Sequence, residues 1–547
     1  MKISLAQKNP KIGDIDLNLK MLFTDVKKAS DSEVDLIIFS ELYLSGYPPL
    51  DLLCFSSFFE KINNGINEIC KFSTNYPNIG ILVGAPIKDD DSRNIFNSAL
   101  LIQNGTILFR QDKINLPNYD VFDEKRFFKS AKTSNIFKFK DEILGISICE
   151  DAWTKKEFFS NHIEYESTPL QDLAKKGGTI LINMSSSPFE QNKLKTRLSL
   201  FGSHSNELSL PLIFVNQVGA NDQLIFDGGS FVLDKEGKPV KILRTFEEDN
   251  FEFDTKKIKS SNFKFQYNDI ESIYLALKLG VSDYLIKTGF QKVVLGLSGG
   301  IDSAVTCAIA ADACKSKNVL GVLMPSEFSS DGSVNDAKSL AKNLGINYDI
   351  VQINKPFDVL NKNLSSLFKN TQFDVTEENM QSRIRGLILM AISNKQNRLL
   401  LSTGNKSEMA MGYCTLYGDM NGAIGVLSDV PKTIVYKLAD YINREKEIIP
   451  IESIKKPPSA ELRPNQKDSD SLPDYSTLDS ILKLYIQDHK STEEIIMLGY
   501  ERNMVIEIIR KVNLNEYKRQ QAAMPLKISS TSFGMGRRMP IAASYKL

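Results

Sequence analysis

The stretch Val293-Val294-Leu295-Gly296-Leu297-Ser298-Gly299-Gly300-Ile301-Asp302-Ser303 decides the fold of the second half of the chain. Its apolar opening predicts a short buried strand, and the residues from Ala304 onward predict a helix. Small residues and glycines fill the loop between them. Such a loop lets backbone N–H groups crowd around an anion at a helix N-terminus, where the helix dipole favours negative charge. It is not a Walker A loop, because the Gly-Lys-Ser/Thr ending is missing. Working outward, Leu320-Gly321-Val322-Leu323, Ile350-Val351-Gln352-Ile353 and Leu399-Leu400-Leu401 are further strand candidates separated by helical stretches. That alternation predicts a parallel α/β sheet. Ligands of open parallel sheets bind beyond the carboxyl ends of the strands. The segments 296–303, Met324-Pro325-Ser326 and Ser402-Thr403-Gly404-Asn405-Lys406-Ser407-Glu408 fall there.

Upstream, short apolar runs alternate with helical stretches. Leu36-Ile37-Ile38-Phe39, Gly80-Ile81-Leu82-Val83-Gly84, Leu144-Gly145-Ile146-Ser147-Ile148-Cys149, Ile180-Leu181-Ile182-Asn183 and Leu212-Ile213-Phe214-Val215-Asn216 read as strands. Asn104-Gly105, between two apolar runs, predicts a hairpin turn. Together they predict a layered α/β domain over residues 1–245. The charged stretch from about Thr245 to Ser261 reads as part of a linker over 246–267. A second domain over 268–547 then opens with a helix capped at Asn268-Asp269. Residues 455–475, rich in Pro, Ser and charge, read as a loop, either a mobile lid or plain disorder.

The chain has 547 residues, 42% of them apolar, which suffices for two to four domains. Its 67 basic and 67 acidic residues cancel, which argues against a nucleic-acid or membrane-surface partner. The longest apolar stretches fall well short of the roughly 20 residues of a membrane span. The N-terminus lacks the apolar core of a signal peptide, and a cytoplasmic location is expected. The six cysteines show no metal or disulfide spacing and read as thiols. With only three histidines, a His-based zinc site or a Ser-His-Asp triad is poorly supplied. The chemistry must rest on carboxylates, lysine or thiolate.

Glu41, Lys113 and Cys149 each stand at or just beyond the end of a strand candidate. Their contexts are Phe39-Ser40-Glu41-Leu42, Lys113-Ile114-Asn115-Leu116-Pro117-Asn118-Tyr119 and Ser147-Ile148-Cys149-Glu150-Asp151. Attack on an amide by cysteine needs its thiolate. A glutamate can take the thiol proton and later deliver it to leaving ammonia. A lysine ammonium lowers the thiol pKa and stabilises the tetrahedral oxyanion. The three motifs in this order resemble the Glu-Lys-Cys triad of the nitrilase/amidase family. A Cys-His pairing through His162 has no supporting residues around it.

The Ser298-Gly299-Gly300-Ile301-Asp302-Ser303 loop resembles that of ATP pyrophosphatases. Taken whole, the chain resembles the glutamine-dependent NAD synthetases. The resemblance runs through 116–126, Asp227-Gly228-Gly229-Ser230, Glu377-Glu378-Asn379-Met380-Gln381-Ser382-Arg383-Ile384-Arg385-Gly386, 403–408, 412–419, Pro458-Ser459-Ala460-Glu461-Leu462 and Asn515-Glu516-Tyr517-Lys518-Arg519. It implies a nitrilase-like αββα sandwich joined to a Rossmann-like parallel α/β domain of the adenine-nucleotide α-hydrolase type. The first domain would release ammonia from glutamine with Cys149 as nucleophile, Glu41 as base and Lys113 as stabiliser. Tyr119, Ser187 and Lys193 match glutamine contacts. The second domain would adenylate the carboxylate of deamido-NAD and let ammonia displace AMP, giving NAD. Gly296, Leu297, Ser298, Gly299, Gly300, Ile301, Asp302, Ser303, Met324 and Thr403 match ATP contacts. Asn379, Glu408 and Lys518 match deamido-NAD contacts. Asp302 and Glu408 would hold Mg²⁺, which offsets charge on leaving pyrophosphate. The resemblance also implies a homo-oligomer, with deamido-NAD, ATP and glutamine as its small-molecule partners.

Ammonia is neutral and easily lost to water, so two sites sharing it predict a shielded interior route. Asp419 and Lys432 sit in family-like segments without a role that charge alone assigns. The tail departs from the family pattern at Met524-Pro525-Leu526-Lys527, where a glycine usually follows the proline. Three other readings remain open at this point. One is another amidotransferase of the same ATP class, against which the Glu-Lys-Cys pattern weighs. The others are a nucleotide sensor with a vestigial amidase and a nitrilase with an inert partner domain. The presence of all motif residues weighs against both.

Overall fold

The computed structural model describes residues 1–89, 94–158, 165–259, 267–464 and 466–544. The chain divides into two compact units, Met1–Tyr267 and Asn268–Leu547.

The first unit is built on two six-stranded sheets. One runs Asp249–Asp254, Lys2–Gln7, Leu36–Ile38, Gly80–Lys88, Ile95–Gln103, Thr106–Asp112. The other runs Pro239–Ile242, Phe231–Leu233, Leu212–Asn216, Ile180–Ser185, Glu142–Ile148, Ile136–Phe139. Period-two alternation sorts the side chains. Leu36 and Ile38 join Ile146, Ile148, Ile182 and Val215 in a core between the sheets, whereas Ile37 faces the other way. Outside the first sheet, the helices Ile15–Asp31 and Ser56–Ser73 pack Leu22, Val26, Ile62 and Ile66 against Ile37 and Ile81. Outside the second, Pro169–Lys175 and Lys193–Leu208 pack Leu173, Leu200 and Phe201 against Phe214 and Phe231. This is the expected αββα sandwich.

The stretch expected as linker contains a strand. Asp249–Asp254 pairs antiparallel with Lys2–Gln7, setting Phe251 opposite Leu5 and Phe253 opposite Ile3. Its alternating phenylalanines supply the apolar face, and charged residues on the other face hid that period from a reading by composition. Residues 260–266 of the same stretch, and His162, lie outside the described residues.

The second unit holds a six-stranded sheet, Asn347–Ile350, Val319–Leu323, Val293–Gly296, Leu399–Ser402, Ile424–Gly425, Met524–Pro525, with every pair parallel. The strand expected at Ile350–Ile353 therefore lies a few residues earlier. The departing tail at Met524-Pro525 forms an edge strand, where proline's missing donor is tolerated. The helix Asp269–Thr288 is capped by Asn268, whose side chain accepts from the Ile270 and Glu271 N–H groups. Among the described residues no helix is long and apolar enough to cross a membrane.

Candidate active sites

In the first unit, the strand ends Ile38, Asp112, Ile148 and Ser185 bring together Glu41, Lys113, Cys149 and Ser186. Lys113 Nζ donates to Glu41 Oε1 at 2.7 Å and to Glu124 Oε1 at 2.8 Å. Asn97 Nδ2 donates to Glu41 Oε1 at 2.7 Å and the Ser186 N–H to Oε2 at 2.8 Å, so both oxygens of Glu41 are aimed. Glycine is required at Gly84 for the Glu41 turn to lie this close, since a Cβ there would stand 2.3 Å from the Leu42 nitrogen. Glu41, Lys113 and Cys149 are 1%, 1% and 5% exposed, so bulk water does not screen their charges.

Cys149 adopts a left-handed backbone with φ 42° at the strand-to-turn junction. A non-glycine residue there is strained. Asp151 holds the turn, its carboxylate accepting from the Ile148, Ile114 and Asn115 N–H groups at 2.9, 3.0 and 2.8 Å. Burial and then the Glu41 charge raise the thiol well above its ordinary range. Lys113 pulls it down, as expected, but does not prevail, so the resting group is a thiol. Among nearby charges, Glu41 acts on this thiol most strongly.

Glu124 is a site residue that sequence reading quoted in a motif without assigning a role. Burial lifts it to about 7 against the pull of Lys113, and Tyr47 donates to it at 2.9 Å. Glu150 is a second. Burial, only partly offset by Lys113, lifts it to about 7, and the Tyr119 and Tyr165 hydroxyls donate to its Oε1 at 3.1 and 2.8 Å. Lys193 Nζ lies 4.9 Å from the Trp153 ring centroid and 3.2 Å from Glu190 Oε2. Ser187 is gripped by Arg197, whose Nη1 pairs with both oxygens of Asp227 at 2.7 and 2.9 Å. The expected glutamine contacts Tyr119 and Lys193 thus both bear on Glu150, the residue after the cysteine.

In the second unit, a cavity of about 290 Å³ opens where the parallel strands end. Of the expected ATP contacts, Gly296, Leu297, Ser298, Gly300, Ile301, Asp302, Ser303, Met324 and Thr403 line it, as does Glu408. Gly299 packs against Ser333 instead. Its φ is +80° and a Cβ would stand 2.2 Å from the Ser333 carbonyl oxygen, so only glycine fits. The helix Ile301–Cys314 has no side-chain cap at Gly300, which leaves its first N–H groups for an anion.

Asn405 opens the next motif with a capping box. Its side chain accepts from the Glu408 N–H at 3.0 Å, and Glu408 Oε2 accepts from the Asn405 N–H at 3.4 Å. Asn405 Nδ2 also donates to Asp302 Oδ1 at 3.0 Å. The remaining oxygens face one ammonium, with Lys432 Nζ 2.5 Å from Asp302 Oδ2 and 3.4 Å from Glu408 Oε1. Burial and the Asp302 charge lift Glu408 to about 8. Lys432, left without a role by sequence reading, is therefore at the centre of this cluster. Asp468, buried beside it, accepts from Tyr475 at 2.8 Å.

Asn379 and Lys518 do not line the cavity. Asn379 accepts from Thr415 Oγ1 at 2.7 Å, and Lys518 Nζ donates to the Gly412 and Cys414 carbonyls at 2.8 and 2.9 Å. Both brace the 412–415 segment, whose Tyr413 and Cys414 do line the cavity. Asp419 also lines it, lifted by burial to about 6. The segment 456–462 closes one side through Glu461, which accepts from Ser330 and Ser333 Oγ at 3.0 and 2.7 Å and pairs with Lys456 at 2.8 Å.

These two sites define a two-part class, an amidase-type centre and an adenine-nucleotide centre on one chain. Family models agree with that division, a carbon-nitrogen hydrolase over residues 2–251 and an NAD synthase over 273–522. The chain is 45% identical to the glutamine-dependent NAD(+) synthetase of Synechocystis sp., over 99% of each chain. It is 40% identical to that of Thermotoga maritima, over 100% of this chain and 99% of the relative. Among solved structures, that of glutamine-dependent NAD+ synthetase from Acinetobacter baumannii in complex with ADP is 37% identical. Its TM-score is 0.78, with 99% of this chain and 98% of that one covered. The chain belongs to the glutamine-dependent NAD(+) synthetase family.

Proposed function

We propose that the first unit hydrolyses glutamine and the second uses the ammonia to convert deamido-NAD to NAD at the expense of ATP. The observation that carries this reading is the coexistence of two unlike sites. One is the Lys113 ammonium held between Glu41 and Glu124 beside the strained Cys149. The other is the glycine-rich helix start facing Asp302, Glu408 and Lys432.

In the first unit, Glu150 suits the α-ammonium of glutamine, with Tyr119 and Lys193 beside it at the same end. Glu41 takes the Cys149 proton as sulfur attacks the amide carbon. Lys113 offsets the oxyanion charge without a solvent shell to reorganise. The same proton goes to nitrogen as the C–N bond breaks, leaving a thioester that water cleaves to glutamate with Glu41 again as base.

In the second unit, the helix-start N–H groups at 301–303 and the Lys432 ammonium suit ATP phosphates. A carboxylate oxygen of deamido-NAD attacks the α-phosphorus, pyrophosphate leaves, and ammonia then displaces AMP. Asp302 and Glu408 would hold Mg²⁺ only together with phosphate oxygens of ATP, since two carboxylates that now face the Lys432 ammonium do not complete a cation's shell. When bound, the ion supplies positive charge against the leaving pyrophosphate. Passing neutral ammonia between sites favours a sheltered route. An added ammonia-consuming enzyme that intercepts it during synthesis contradicts that part.

The test supplies purified protein with deamido-NAD, ATP and Mg²⁺, with glutamine or ammonium as donor. NAD, AMP and pyrophosphate in equal amounts are expected. No NAD from either donor overturns the substrate assignment and favours another acid of the same ATP-dependent class.

A further inference from the structure

We propose that Asp479 is a positioning residue of the adenylation site, fixing the backbone that carries Lys432 and Glu408. This rests on the reading of those two residues given above.

Asp479 sits in the helix Tyr475–Leu482 and does not line the cavity, so it acts only through its neighbours. Its Oδ1 accepts from Ser407 Oγ at 2.5 Å. Its Oδ2 accepts from the Thr433 N–H at 2.9 Å and from Thr433 Oγ1 at 2.8 Å. Ser407 Oγ in turn accepts from the Lys432 N–H at 2.9 Å. The four residues form a closed ring. Ser407 precedes Glu408, and Thr433 follows Lys432, so the ring holds the main chain of both charged residues.

The helix Lys432–Ile442 has Pro431 at its start and no side-chain cap of its own. Asp479, 46 residues away along the chain, supplies that cap from another helix. Ser407 is fully buried and Lys432 is 2% exposed, so water does not replace a lost partner. An aspartate is also short, which leaves the ring little slack. A shift of about 1 Å in a group that positions substrate costs on the order of a hundredfold in rate.

The experiment measures ammonium-driven NAD synthesis by the full chain. Its variants are Asp479→Ala, Asp479→Asn, Ser407→Ala, the double Ser407→Ala/Asp479→Ala, and Lys432→Ala. Asp479→Ala is expected to lower kcat about tenfold or more and to raise the KM for ATP. Asparagine can accept from Thr433 with its oxygen and donate to Ser407 with its nitrogen, so Asp479→Asn is expected within about threefold of the parent. The double variant is expected to be no worse than Asp479→Ala, because both changes cut one ring.

An Asp479→Ala rate within about twofold of the parent overturns the proposal, as does an asparagine variant as impaired as alanine or additive losses in the double. If Asp479→Ala loses glutamine hydrolysis as well and so fails to fold, Ser407→Ala carries the test. It is expected to lose about threefold or more, and an unchanged rate overturns the proposal. Full synthesis by Lys432→Ala contradicts the site reading itself, separately from the role of Asp479.

Discussion

Lys113 Nζ lies 2.7 Å from Glu41 Oε1 in a site where both side chains are almost wholly buried. The ammonium is also the partner of Glu124, so removing it strands two carboxylates out of water. Breaking a buried pair in this way costs about 3–5 kcal/mol. Lys113→Met is therefore expected to lower the melting temperature and cut glutamine-driven NAD formation at least about a hundredfold. Ammonium-driven synthesis at a temperature where the variant stays folded is expected to persist. Equal loss of both activities in folded protein contradicts the separation of the two sites.

Lys432 makes the converse case. It neutralises Asp302 and Glu408 at 2.5 and 3.4 Å in the second unit. Asp302→Asn and Lys432→Ala are each expected to reduce ammonium-driven synthesis by about a hundredfold or more. Glutaminase activity, measured as glutamate released, is expected to remain measurable in both. A loss confined to glutamate release contradicts the assignment.

Glu150 gives a dependence of stability on pH. Burial raises it from 4.5 to about 7 in the folded chain. Between those values the folded state holds a proton that the unfolded state has released. Its contribution to stability is thus complete below about pH 4.5 and is lost as pH rises through about 7. In Glu150→Gln that loss is absent. The melting temperature of the variant minus that of the parent is expected to rise by about 5 °C across this window and then level off. A difference independent of pH contradicts the burial of an ionisable Glu150.

Glu461 fastens the segment that closes the second cavity, through Ser330, Ser333 and Lys456. Gln381 adds a bond to the Leu462 carbonyl at 2.9 Å. Glu461→Ala is expected to speed proteolytic cleavage within 456–464 several-fold while the rest of the chain resists. An ATP analogue is expected to restore protection. An unchanged cleavage rate shows that the segment is held by other contacts.

The sequence made local geometry legible wherever one short stretch carries both the signal and its meaning. Leu295 to Ser303 specified strand, anion loop and helix start, and the structure has strand Val293–Gly296 and helix Ile301–Cys314 there. Asn104-Gly105 specified its hairpin turn, with φ 45° and 84° at the two residues. Glu124 and Lys432 were not legible as site residues, because a charge has no direction until the fold supplies one. Lys432 meets Asp302 across 130 residues of chain. The strand Asp249–Asp254 was missed because its two phenylalanines are interleaved with acidic and polar residues, and its partner is the opposite terminus of the unit. Lys518 also takes its direction from the fold, where two backbone carbonyls hold its ammonium.

The most direct measurement compares the parent chain with Cys149→Ala, following NAD formation from deamido-NAD, ATP and Mg²⁺ with glutamine or ammonium as donor. Loss of the glutamine reaction with the ammonium reaction intact is the expected result. A Cys149→Ala chain that still makes NAD from glutamine contradicts the assignment of the nucleophile and with it the two-site mechanism.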